Sequence, residues 1–430
     1  MTNSSIILPT GDILEQEKSI VHSLDRSWHD QSQSTRTIIF SSPGGSRAVM
    51  TYRGQTIYGS VELEDGTAFR IESIGESNSD VVWAELDQTA WEDEDELNPE
   101  NPLEDETSEM RMSELLAQGR ADDTTIVEYT VTVYYTAGFK ETTADPSAFI
   151  DQVIAETNDG YENSGVPLRA KLHCSLQSDV PDGLRSGIAL RLLTLRERTL
   201  KQVRRSADVA ILLVDSYNTK RSCGVNWFNS YKNGQTIGTV RKACALGYFS
   251  FGHEVAHGFG LAHDRRIASK SSTTFAFGSI IQPGVSRSIM AYATSGEKRV
   301  NYYSSPNVKY AGAPTGSEMN DNARALKEVR FAVANIGDED IACPAPTRRD
   351  LRSDCVDKYR SCSIVASSCC WDPLINSGCP LTCGLCPGME PKPSFSCYDK
   401  LSSCPELASI QGCEERSVKS QCKKSCRLCD

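Results

Sequence analysis

No apolar run in the 430 residues reaches the roughly 18 that a bilayer-crossing helix needs, so the chain offers no membrane span. Positive charge is the scarcer sign. With 45 Lys and Arg against 57 Asp and Glu the net charge is −12, which argues against nucleic acid as a partner, because phosphate binding concentrates Lys and Arg. The opening MTNSSIILPTGDILEQEK has no basic first stretch and no apolar core of about 7–15 residues, so no signal peptide is visible in this sequence. Cysteine is absent before Cys174. At 39% hydrophobic and 24% charged, the composition excludes collagen, coiled coil and wholesale disorder.

The 17 cysteines that are present crowd towards the end: Cys174, Cys223 and Cys244 lie in the middle, Cys343 follows, and thirteen more run from Cys355 to Cys429. A tail of that density is a disulfide framework and persists only in an oxidising compartment. The tail outweighs the missing leader, and the protein is expected to be secreted or extracellular. A chain of this length is expected to hold two or three compact units plus small modules.

Residues from about 35 to 90 read as short strands. Val61 and Leu63 alternate with polar neighbours, as do Phe69 and Ile71 across Asp65-Gly66, which is a hairpin pattern. The acidic, proline-punctuated WEDEDELNPENPLEDETSE then has too little apolar content to pack and reads as a solvated linker over about 91–120. From Thr124 strands and helices alternate. TTIVEYTVTVYY puts Val127, Tyr129, Val131 and Val133 on one face, and a helix opened by Pro146 carries Phe149, Ile150, Val153 and Ile154. A strand near LRAKLHCSL, a helix with Ile188, Leu192 and Leu195, and the apolar ADVAILLVD follow. Such alternation implies an α/β unit with a mostly parallel sheet and right-handed crossovers.

FGHEVAHGFGLAHD, residues 251–264, holds three of the six histidines. Positions i and i+4 of a helix share a face, so His253 and His257 can address one ion. Zinc in a catalytic site takes three protein ligands and keeps one position open, and His263 cannot supply the third from the same straight helix. Gly260 allows the chain to turn there by taking positive φ without a steric penalty. Glu254, directly after His253, then lies beside the open position and can take a proton from a bound water as general base. Three unrelated surface histidines would not bring the glutamate, the glycine and the third spacing with them.

At these residues the chain resembles the metzincin zinc peptidases, whose HExxHxxGxxH motif is matched by His253, Glu254, His257, Gly260 and His263. Asp264, next in line, is similar to the adamalysin (reprolysin) branch, and SRSIMAYA supplies Met290 for the methionine turn. The resemblance covers roughly Thr124 to Ile336. It implies an α+β metzincin-type catalytic domain with a twisted sheet and one catalytic Zn2+ held by His253, His257 and His263. It also implies that Glu254 acts as general base in peptide-bond hydrolysis, with protein or peptide substrates. Gly260, Asp264 and Met290 would be structural at the site, and Tyr292 a candidate transition-state stabiliser. An edge strand near QTIGTVRKACA would pair with extended substrate. The β-rich region before the catalytic domain would be a propeptide, and without a cysteine before Cys174 no propeptide thiolate can cap the zinc. No motif supports a structural Ca2+.

The segments from Cys355 to Cys386 and from Cys397 to Cys429 both end in C-x3-C-x2-C and resemble the ShK toxin-like (ShKT) module. That resemblance implies Cys397–Cys429, Cys404–Cys422 and Cys413–Cys426 in the second copy. In the first it implies Cys355–Cys386 and Cys362–Cys379, with either Cys369 or Cys370 completing the set. Cys223–Cys244 is the expected extra pair before the catalytic helix, while Cys174 and Cys343 stay unassigned. The expected order is a propeptide-like region over 1–120, a zinc metallopeptidase over 121–340, a linker over 341–354, one module over 355–386, a linker over 387–396, and a second module over 397–430. The leading reading is a secreted zinc metalloendopeptidase whose modules engage an extracellular-matrix or cell-surface ligand. The rival is a catalytically inert binding protein acting on a channel or matrix through its modules. Intact Glu254 argues against it, and Lys358-Tyr359 falls too early in its module to match the toxin's Lys-Tyr pair.

Overall fold

The computed structural model describes residues 5–337 apart from 9–12, 23–34, 44, 75–79, 90–94, 98–105, 122–123, 201–206, 219–221, 235 and 269–270. The chain divides into two compact units, Met1–Thr347 and Arg348–Asp430. The second unit, and with it every bridge expected between Cys355 and Cys429, lies outside the described residues.

The amino-terminal region is a seven-stranded antiparallel sheet in chain order: β1 (Ser5–Ile7), β2 (Ile13–His22), β3 (Thr35–Ser41), β4 (Arg47–Arg53), β5 (Thr56–Glu62), β6 (Ala68–Ile74) and β7 (Asp80–Glu85). Alternation along the strands gives the sheet two working faces. Phe40, Ala48, Met50, Val61 and Ile71 form its own apolar layer, while Ile39 and Val49 point the other way and meet Ala155 of the next region. The Asp65-Gly66 hairpin is present, with Glu62 opposite Ala68 and Gly66 at φ +78.

The stretch expected to be a solvated linker is partly structured. It contains β8 (Asp95–Leu97) and the helix α1 (Glu106–Ala121). Leu115 and Leu116 pack α1 against the main core, and Arg330 donates to the carbonyl of Gly119 at 3.0 Å. β8 needs no apolar side chains, because its pairing runs through the main chain.

The following region comprises β9 (Val127–Tyr135), α2 (Ala137–Thr142), α3 (Pro146–Asn163), β10 (Leu168–Gln177), α4 (Ser186–Leu200), β11 (Val209–Val214), β12 (Gly224–Trp227), β13 (Thr236–Arg241), α5 (Lys242–Ala245) and α6 (Ser250–Gly258). The short strands β14 (Ile280–Gln282), β15 (Ser286–Arg287) and β16 (Lys298–Arg299) precede a closing helix α7 (Asn322–Val333). Its main sheet has the order β10-β9-β11-β13-β12-β8. β10, β9, β11 and β13 pair with one another in parallel, as helical crossovers require, and β12 folds back antiparallel on β13. That fold-back corrects the expected edge strand. The QTIGTVRKACA segment forms β13, which is interior, and β12 with β8 outside it lies at the border.

α3 joins the two regions. Asp145 caps it by accepting from the amides of Ser147 and Ala148, with Pro146 in the first turn. Phe149, Ile150, Val153 and Ile154 face the core, Gln152 donates to the carbonyl of Val49 at 2.8 Å, and Arg47 pairs with buried Asp159 at 2.7 Å. Glu156, 2% exposed, accepts from the amide of Gly247 at 2.9 Å and also bonds to Ser60 of β5. Burial pushes its carboxyl up to about 8, with Asp159 and Glu62 adding to the effect. A carboxyl raised in the folded state contributes stability below its ordinary range and loses it as pH rises through the raised value. We therefore expect thermal stability to fall between about pH 5 and about pH 8, and Glu156→Gln to flatten that slope in a melting series; an identical slope in the variant would remove Glu156 as its source.

Candidate metal centre

α6 is buried along its whole length. His253 and His257 are separated by one turn and share a face. The helix closes through a Schellman arrangement: the Gly260 amide donates to the His257 carbonyl at 2.9 Å and the Leu261 amide to the Ala256 carbonyl at 3.0 Å, with Gly260 at φ +88. A side chain at Gly260 would lie 2.6 Å from Asn229 Oδ1 and 2.7 Å from Ser272 Cβ, so space as well as dihedral angle demands glycine. The reversal brings His263 back under the helix.

The three Nε2 atoms then lie 2.9, 2.9 and 3.3 Å apart. His253 Nδ1 is 3.0 Å from the Ile289 carbonyl and His257 Nδ1 is 2.8 Å from the Leu261 carbonyl. Carbonyl oxygen only accepts, so each of these Nδ1 atoms carries the proton and each Nε2 presents a lone pair. Burial, then His257 and His253, then Arg299 and Arg287, hold His263 well below the ordinary imidazole range, so it too is a neutral donor. Lone pairs that face one another repel unless a cation lies between them. Zn–N bonds of about 2.0–2.1 Å in tetrahedral geometry imply N–N edges of about 3.4 Å, close to the longest edge here. Among the described residues this is the one cluster of His, Cys, Asp or Glu suited to a metal ion.

The surrounding groups hold that geometry. Asp264 Oδ2 accepts from the Tyr292 amide at 3.0 Å and Oδ1 pairs with Arg266 at 2.8 Å, tying the third histidine's turn to the segment after Met290. Met290 is fully buried in the core beneath, and the Tyr292 ring centre is 4.0 Å from that of His263. Glu254 is fully buried, and its carboxylate lies against Gly224 of β12, where an added Cβ would be 2.6 Å from Oε1. Asn226 of the same strand donates to the Glu254 carbonyl at 2.7 Å. Cys223 and Cys244 are bonded, with Cα atoms 5.5 Å apart, linking the start of β12 to α5; Cys174 is disulfide-bonded as well. Gly224 had no legible signal before the fold was known, because its role depends on which strand crosses above α6.

The family model for metallo-peptidase family M12 matches residues 125–304. Over this stretch the chain is similar to the metallopeptidase domains of that family. The ShK domain-like model matches residues 354–386 and 396–429, so two such modules follow. Over 337 residues, 71% of this chain and 76% of the relative, the sequence is 28% identical to a peptidyl-Asp metalloendopeptidase of Stenotrophomonas maltophilia (strain K279a). It is 31% identical over 196 residues, 44% of this chain and 46% of the relative, to a peptidyl-Asp metalloendopeptidase of Xanthomonas campestris pv. campestris. Among solved structures, metalloproteinase-II from Bacteroides fragilis aligns with 70% of this chain and 88% of its own at 10% identity, with a TM-score of 0.37. The protein is a peptide hydrolase of the metallopeptidase class, and none of the described helices is long and apolar enough to cross a membrane.

Gly260→Ala should destabilise the domain by about 1–2 kcal/mol or more through the left-handed backbone alone, and should weaken metal retention in a chelator competition. Unchanged melting and unchanged retention would contradict the role given to this turn.

Proposed function

We propose that the protein is a secreted zinc metalloendopeptidase that cuts beside aspartate, with His253, His257 and His263 as the metal ligands and Glu254 as general base. The convergence of three lone-pair Nε2 atoms next to an acidic neighbour on α6 carries this reading. Bound zinc would polarise the scissile carbonyl and lower the pKa of a coordinated water to about 7. Glu254 would act as general base, accepting a proton from the attacking water and returning it to the departing amine, and its position against Gly224 keeps the carboxylate between α6 and the border strand. Asp264 and Gly260 hold His263 in place, Met290 forms the apolar floor, and Tyr292, whose ring lies against His263, would stabilise charge on the substrate oxygen. Preference for aspartate rests on the name of the relatives, peptidyl-Asp metalloendopeptidase.

The amino-terminal region is proposed to keep the enzyme latent. β8 occupies the free main-chain edge of β12, parallel to it from Asp95 opposite Val225 to Leu97 opposite Trp227. An extended substrate would need that edge for strand addition. The cysteine-dense ShK-like modules support an oxidising, extracellular setting and are proposed to tether the enzyme to a matrix or cell-surface ligand.

Glu254→Gln should keep one zinc per chain by elemental analysis while kcat/KM on peptide substrates falls at least about 10²–10⁴-fold. Activity within a few fold of the unaltered enzyme would remove the general-base assignment.

A further inference from the structure

β15 and β16 run parallel beside the metal centre, and their register sets Arg287 opposite Arg299. Both side chains are buried, at 1% and 0% exposure. The ring of Tyr248 lies with them: the Arg299 guanidinium carbon is 4.3 Å and that of Arg287 5.9 Å from its centre. Arg287 Nη2 donates to the Tyr248 hydroxyl at 3.0 Å, and Arg299 Nη1 to the Tyr248 carbonyl at 3.3 Å. Tyr248 stands two residues before α6 begins. At the other side Arg287 Nη1 donates to the carbonyl of Ala291, whose neighbour Tyr292 lies against His263. The two guanidinium groups are therefore wedged between the start of the metal-binding helix and the methionine turn.

Two like charges held at facing register positions are unfavourable to each other, and arginine cannot relieve this by losing its proton. The Tyr248 ring offsets part of the cost through its negative face. A carboxylate offers two oxygens and is the group that paired guanidinium groups bind best, through charge-assisted hydrogen bonds. We propose that Arg287 and Arg299 read the acidic side chain that flanks the scissile bond. This rests on the reading of the site as a peptidase that cuts beside aspartate.

The burial of the pair belongs to the chain with its amino-terminal region in place. Gln88 bonds to both the amide and the carbonyl of Arg299, and Leu86 lies against Gly247, next to Tyr248. Between Gln88 at this corner and β8 on the border strand, the sequence is acidic at every position from Glu92 to Glu96. In charge, that run matches the acidic side chain the arginine pair is proposed to read. Separation of this region would remove the Gln88 and Leu86 contacts from this corner, and the proposal requires that their loss admits substrate.

The test uses the full-length, zinc-loaded chain activated by limited proteolysis, and three peptides that differ only in carrying Asp, Asn or Leu beside the bond. The unaltered enzyme should favour Asp over its isostere Asn by roughly 10- to 100-fold in kcat/KM, the range of a charged hydrogen bond. Arg299→Gln and Arg287→Gln should bring that ratio to within about threefold of unity, mainly through KM for the Asp peptide, while cleavage of the Asn peptide persists. Arg299→Lys should retain part of the preference. An Asp-to-Asn ratio unchanged in both glutamine variants would assign the arginines to bracing the fold and overturn the proposal. Should the glutamine variants not fold, equal cleavage of Asp and Asn peptides by the unaltered enzyme, or a full ratio in Arg299→Lys, would overturn it equally. Cleavage of none of the peptides would sink the peptidase reading along with it.

Discussion

Three imidazole nitrogens can share one point only if none of them carries a proton there. The structure meets that condition from behind, at the opposite ring nitrogens. Carbonyls of Ile289 and Leu261 fix the protons of His253 and His257 on Nδ1, and burial keeps His263 neutral. Each of those carbonyls belongs to an element that must itself be placed. Leu261 follows the Schellman turn that Gly260 permits, and Ile289 precedes Met290 on the floor of the core. The ligand set is thus a consequence of one helix ending and one loop packing, and the repulsion among the lone pairs is what a cation would relieve.

The same helix end couples the centre to the strand above it. The Asn229 amide donates to the His257 carbonyl at 2.8 Å, and Asn226 to that of Glu254. Gly224 leaves room for the Glu254 carboxylate. A strand that holds the base from above and offers its outer edge to an extended chain performs two tasks at once. Its occupation by β8 links the amino-terminal region to the metal centre through main-chain pairing.

Much of this was legible in the sequence because it rests on local periodicity. The histidine spacing, the glycine that turns the chain and the Asp65-Gly66 hairpin are short-range signals, and the helix opened by Pro146 announces itself by its cap and apolar stripe. What escaped depends on long-range placement. Nothing within QTIGTVRKACA reveals that β12 folds back to cover it and so takes the border position. The acidic stretch looked unable to pack, yet Leu115 and Leu116 suffice to dock α1, and β8 is held by backbone groups that composition does not report. Arg287 and Arg299 are twelve residues apart in the chain and become neighbours only through the register of two-residue strands.

The most direct measurement is anomalous X-ray scattering across the zinc absorption edge from crystals of the protein. The account predicts one strong peak about 2.0–2.1 Å from each of the Nε2 atoms of His253, His257 and His263, with Glu254 outside bonding distance. No peak at that point in active protein, or a peak bound by only two of the three imidazoles with His263 turned away, would contradict it.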